Sequence, residues 1–191
     1  MLVGLPFFSN PRTALGKGRV LSYATEMSQG GLLSATNTQR AANGAGSLTI
    51  SNLLSQAAQA KANDMVSRNY WSHNTPDGNP PWVFIDATGY SYKKAGENLA
   101  YGFETSADAI TGWMNSPSHK ANMLDTTFKH VGFGVANSPN YQNAGEMTVV
   151  VAMYADPYAA PTPEPTQVPT ATPKPVLPAQ LVPTPVESPA V

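Results

Sequence analysis

The last 35 residues, Pro157 to Val191, hold eleven prolines and only three charged side chains, Glu164, Lys174 and Glu187. A stretch so poor in large apolar groups cannot offset the entropy of ordering itself. Residues 157–191 are therefore read as a disordered Pro/Thr-rich tail, and residues 1–27 as an irregular lead-in. Folding is confined to residues 28–156, about 130 residues, enough for one two- or three-layer core. Repeated Pro-Thr-Pro and Pro-x-Pro units favour extended polyproline geometry, so the tail reads as a spacer of roughly 100 Å or as a solvated end.

The net charge is −1 and charged residues make up 12% of the chain. Lys and Arg are scattered without a basic stripe, which argues against nucleic acid as a partner. Asn, Ser, Thr and Gly supply a neutral polar surface, the kind commoner in secreted proteins. The chain has no cysteine, so it has no disulfide, thiol nucleophile or thiolate metal site, and any metal would need His and carboxylate ligands. The apolar run Met1–Phe8 lacks a preceding positive charge, is shorter than a signal-peptide core and is broken by Pro6 and Pro11. No transmembrane segment is expected. Export, if it occurs, would use an upstream segment, or the start is displaced.

Apolar periodicity locates the elements. A first helical pattern, Leu32, Leu33, Thr36, Asn37 and Arg40, stops at Asn43-Gly44. A second is capped by Ser51, with Leu53, Leu54, Ala57, Ala58, Ala62, Met65 and Val66 on one face, and ends near Asn69. A turn-rich loop through Pro80-Pro81 leads to a short helix over Trp82–Ala87. A strand is predicted over Lys94–Phe103 and a helix over Ser106–Asn115, with Thr105 and Asp108 in capping-box positions. Ser116-Pro117 starts a new short helix through Leu124. Val131, Phe133 and Val135 alternate with Gly132 and Gly134, and Met147–Tyr154 is apolar on both faces, as in a strand covered on both sides. These elements imply an α+β sandwich with a mostly antiparallel sheet between helical layers.

Three residues are candidates for chemistry. Strand parity puts Glu97 on the face of Ala95, Leu99 and Tyr101. Either it is buried there and needs a cation, a metal or several donors, or the strand ends early and it meets solvent. His119 falls in the first turn of the helix capped by Ser116. The helix dipole disfavours the imidazolium there, leaving a neutral, metal-capable ring, unless His119 is a surface or capping histidine. His73 leaves the second helix beside Trp71, as a ligand or as a packed, hydrogen-bonded histidine. His130, next to Lys129, is read as solvent-facing. No Gly-x-Ser-x-Gly elbow, His-Glu-x-x-His or phosphate loop is present.

Ser72-His73-Asn74, Gly96-Glu97-Asn98-Leu99-Ala100, Gly112-Trp113-Met114-Asn115-Ser116-Pro117-Ser118-His119 and Val131-Gly132-Phe133-Gly134 occur in that order. Together they resemble the CAP superfamily (cysteine-rich secretory proteins, antigen five, pathogenesis-related proteins), in its bacterial SCP-like extracellular branch. Asn37 to Gly44 and Ala57 to Met65 extend the likeness to residues 32–155. The resemblance implies a three-layer α-β-α sandwich with a cleft holding two histidines and two acids. His73, Glu97 and His119 carry over by motif position, and the fourth member, a glutamate in animal and plant relatives, falls on Ser116. Two neutral imidazoles, His73 and His119, would then hold Zn²⁺ or another divalent metal, with Glu97 orienting a ring or accepting from bound water. Without metal, a glutamate between them would raise the histidine pKa values.

The resulting expectation is a secreted or cell-surface binding module, leaning away from catalysis, with a lipid or cell-envelope component as partner. Tyr70, Trp71, Trp82, Tyr90, Tyr92 and Tyr101 would line a groove or pack in the core. The competing readings are a metal-assisted, peptidase-like hydrolase with Glu97 as base, and a purely structural domain whose cleft residues lock the layers.

Overall fold

A computed structural model describes residues 26–158. The sequence readings of residues 1–25 and 159–191, including the lead-in before Glu26 and nearly all of the tail, lie outside the described residues. The elements run α1 (Gln29–Ala42), β1 (Thr49–Ile50), α2 (Asn52–Ser67), α3 (Trp82–Asp86), β2 (Tyr92–Tyr101), α4 (Ser106–Met114), α5 (Pro117–Leu124), β3 (His130–Ser138), a 3₁₀ turn (Tyr141–Asn143) and β4 (Met147–Pro157).

Local chemistry accounts for the helix ends. Ser28, Ser51 and Thr105 each accept a backbone N–H of the first turn of α1, α2 and α4. The Thr105 hydroxyl also donates to the Asp108 carboxylate at 2.9 Å. Past α1, Gly44 takes φ +73°, and past α2 Asn69 takes φ +50°, the left-handed conformation that closes a helix. The cap at Ser28 starts α1 three residues before the first apolar position, where no hydrophobic signal marks it.

The strands form one sheet in the order β1-β3-β4-β2. The expected three-layer α-β-α sandwich is observed, with one correction: the sheet is mixed rather than mostly antiparallel. β4 pairs antiparallel with both β2 and β3, but the two-residue β1 runs parallel to β3, Thr49 beside His130. A strand that short carries no alternation that a sequence could display.

β4 joins two cores. Val150, Ala152 and Tyr154 face Leu32 of α1, Ile110 and Trp113 of α4 and Met123 of α5. Val149, Val151, Met153 and Ala155 face Leu54, Ala58 and Met65 of α2 and Ile85 of α3. The closest approach is on the α2 side. A Cβ on Gly132 would stand 2.1 Å from the Leu54 carbonyl carbon, and one on Gly134 2.2 Å from that of Ala58. Glycine on the strand and alanine on the helix let the two backbones meet.

Arg40 ties α1 to the end of α5. Its buried guanidinium donates to the carbonyls of Gly46 (2.6 Å), Met123 (2.7 Å) and Asp125 (3.0 Å), satisfying the C-terminal end of α5.

Candidate functional site

β2 is an edge strand, and its outer side is where the candidate residues gather. Two of its carbonyls are occupied from the α4–α5 layer: Trp113 Nε1 donates to Leu99 O at 2.9 Å and Asn122 Nδ2 to Glu97 O at 3.0 Å. Capped in this way, the edge does not offer itself as a template for another strand.

Glu97 does not meet solvent. Its side chain is 2% exposed, and Oε1 lies 2.6 Å from His73 Nδ1. A carboxylate oxygen only accepts, so Nδ1 carries the proton in this contact, and in the neutral ring that leaves the lone pair on Nε2. The second oxygen, Oε2, is buried without a hydrogen-bond partner among the described residues. Leaving such an atom unmet costs on the order of 1–3 kcal/mol or more, so the arrangement is suited to receiving a donor or a cation.

His73 sits in the irregular segment after α2, with its side chain 57% exposed. His119 is the third residue of α5, and its carbonyl accepts from Asn98 Nδ2 at 3.0 Å. Asn98 also accepts from Asn122 Nδ2 at 2.9 Å, so neighbouring residues of β2 hold both Glu97 and α5 in place. The His119 pKa is lowered, first by burial and second by the charge on His73, which places the two rings within electrostatic reach. This corrects the expectation that the His119 pKa would be raised: burial sets the direction.

Ser116 is buried at the N-cap of α5 and makes no capping bond. Its Oγ lies 3.5 Å from Ser118 Oγ. Among the described residues no hydrogen bond links it to His73, Glu97 or His119. His130 is half-buried rather than solvent-facing, with Nδ1 2.7 Å from the Tyr90 hydroxyl, whose pKa burial pushes up to about 12. The aromatic residues pack on the α2-side core. Trp71 meets Tyr101 edge-on at 4.7 Å, and Tyr101 meets Tyr141 at 5.4 Å.

Sequence reasoning missed Lys61, Asn98 and Asn122. Lys61 is fully buried on the α2 face that carries Ala57, Ala58, Ala62 and Met65. A lysine interrupting an otherwise apolar stripe was the available signal.

Fold and site define a class: a three-layer α-β-α module with a histidine–glutamate pair at an edge strand of its sheet. The chain belongs to the cysteine-rich secretory protein (CAP) family, whose pattern matches residues 33–154. Among curated proteins it is similar to YkwD of Bacillus subtilis, 40% identical over 103 residues, 54% of this chain and 40% of that one. Among solved structures it is similar to an SCP-domain extracellular protein from Bacillus anthracis, with 23% identity and a TM-score of 0.58 over 66% of this chain and 39% of that one. It is also similar to an outer surface protein of Borrelia burgdorferi, with 23% identity and a TM-score of 0.55 over 66% and 90% of the two chains. The matched region thus spans less than half the length of YkwD and of the Bacillus anthracis chain.

Proposed function

We propose that the chain is an extracytoplasmic CAP binding module whose His73–Glu97–His119 cleft takes a divalent cation such as Zn²⁺ and a cell-envelope or lipid component. The observation that carries this reading is Glu97, one oxygen on His73 Nδ1 and the other buried and unmet. An unpaired buried carboxylate oxygen is a standing invitation to a cation or a ligand donor.

The donor set limits the kind of metal site. Among the described residues no group of three or more His, Asp or Glu side chains is arranged to hold a metal ion. The site proposed would use two imidazoles, His73 through Nε2 and His119 in its neutral form, with water filling the other positions. Such a site is open and exchangeable rather than structural. The carboxylate behind His73 fixes its tautomer, the usual outer support of a ligating histidine. A bound cation would supply positive charge at the cleft for an anionic or carbonyl-bearing ligand. Placement outside the cytoplasm draws on family membership and on the extracellular and outer-surface proteins that share the fold. Among the described residues no helix is long and apolar enough to cross a membrane.

Calorimetric titration of the metal-free protein with Zn²⁺ tests the reading. One equivalent should bind, and binding should vanish in His73→Ala and in His119→Ala. Glu97→Gln should weaken it about tenfold to a hundredfold. No heat of binding in the wild type would remove the cation from the proposal. Metal-dependent peptide turnover lost in His73→Ala would replace a binding module with a hydrolase.

A further inference from the structure

Lys61 lies two turns into α2 with no exposed surface. Removing an ammonium from water costs several kcal/mol unless every proton is used. Here all three are: Nζ donates to the Tyr70 hydroxyl at 3.1 Å, the Ser72 carbonyl at 3.0 Å and the His73 carbonyl at 2.6 Å. The Tyr70 hydroxyl in turn donates to Asp64 Oδ2 at 2.6 Å, one turn along the same helix. The ammonium also stands 4.8 Å from the centre of the Tyr70 ring. Burial lowers the Lys61 pKa, opposed by the charges of Glu97 and Asp64, so the cation lies within the field of the site.

The segment being held matters. Residues 70–74 form neither helix nor strand, and His73 is largely exposed. A loop of that kind ordinarily samples many conformations. Yet His73 must keep Nδ1 on Glu97, which is itself fixed in β2. An apolar residue at position 61 would fill the same space at lower cost, but it would leave three acceptors unpaired and the loop untethered.

We propose that Lys61 is the positioning residue of the cleft: its buried ammonium grips the Ser72 and His73 carbonyls and so holds the His73 imidazole in the Nδ1–H form on Glu97, with Nε2 turned outward. The proposal rests on His73 and Glu97 being part of the working site, but not on a metal binding there.

The test reads the tautomer directly. Long-range ¹⁵N imidazole spectra are recorded on the full chain, with chelator present and at a pH above the ordinary histidine range. In the wild type His73 should be in the Nδ1–H form. In Lys61→Met, with near-UV circular dichroism unchanged, that form should fall from the major to the minor species, because neutral imidazole otherwise prefers the proton on Nε2. A folded Lys61→Met with the wild-type tautomer would overturn the proposal and leave Lys61 a packing residue. Should Lys61→Met not fold, the wild-type ammonium decides. Slow proton exchange at Lys61 Nζ, with couplings across the hydrogen bonds to the Ser72 and His73 carbonyls, supports the grip. Exchange as fast as that of a surface lysine defeats it. Because no metal is added, a negative Zn²⁺ titration and a negative tautomer result remain separate outcomes.

Discussion

His119 gives up its proton more readily than an ordinary histidine, because burial penalises the imidazolium and the charge on His73 adds to the penalty. A pKa lowered in the folded state means that the unfolded chain binds the proton better between the two values. His119 therefore costs the fold nothing above the ordinary 6.5, and it becomes destabilising as the pH drops from there through the lower folded value. The melting temperature of the wild type should fall on that acid side, and His119→Gln should flatten the fall. An identical slope in the variant would mean that the imidazole is not desolvated. The same titration followed at the His119 ring proton by NMR should show a midpoint below 6.5. Glu97 makes the complementary point. Its parity on β2 was readable, and so was the conflict between a carboxylate and an apolar face. Its actual partner was not, because His73 lies 24 residues away on an irregular segment that has no periodicity.

At the scale of elements, the contact of α2 with β3 depends on what the glycines lack. Gly134→Ala would put a methyl 2.2 Å from the Ala58 backbone, where no side chain can rotate away. Overpacking typically costs 1–3 kcal/mol, and with backbone on both sides the loss should be about 3 kcal/mol or more. The urea midpoint should drop accordingly, whereas Gly46→Ala, with nothing within 4 Å of the added carbon, should leave it nearly unchanged. Equal effects at the two positions would contradict the close approach. The helices were legible because Ser51, Thr105 and Ser116-Pro117 mark their starts chemically, and β4 because Val149–Met153 is an unbroken apolar run. Three features were not. β1 is two residues long, its parallel pairing is a matter of chain routing, and the role of Gly132 and Gly134 appears only when α2 is laid across them. Lys61 belongs with these, since a buried lysine is intelligible only once its three acceptors are in place.

The whole domain hangs on one strand. Successive residues of β4 alternate between the core beneath α1, α4 and α5 and the core beneath α2 and α3, so neither can lose its packing without exposing the back of the other. The candidate site lies at the outer side of β2, with His73 following α2 and His119 carried on α5. Such coupling predicts one cooperative transition rather than two. Leu32→Ala empties a fully buried position in the first core and Leu54→Ala one in the second. Each should cost about 2–5 kcal/mol, a large share of the roughly 5–15 kcal/mol that holds a domain together. In both variants, denaturation followed by far-UV circular dichroism and by tryptophan fluorescence should shift together. Trp113 reports from the first core and Trp71 and Trp82 from the second, so a layer that melted alone would pull the two curves apart. Coincident curves in both variants mean that the cleft is only as rigid as the sheet shared by its two walls, and that a cavity in either core loosens the grip on His73 and His119 at once.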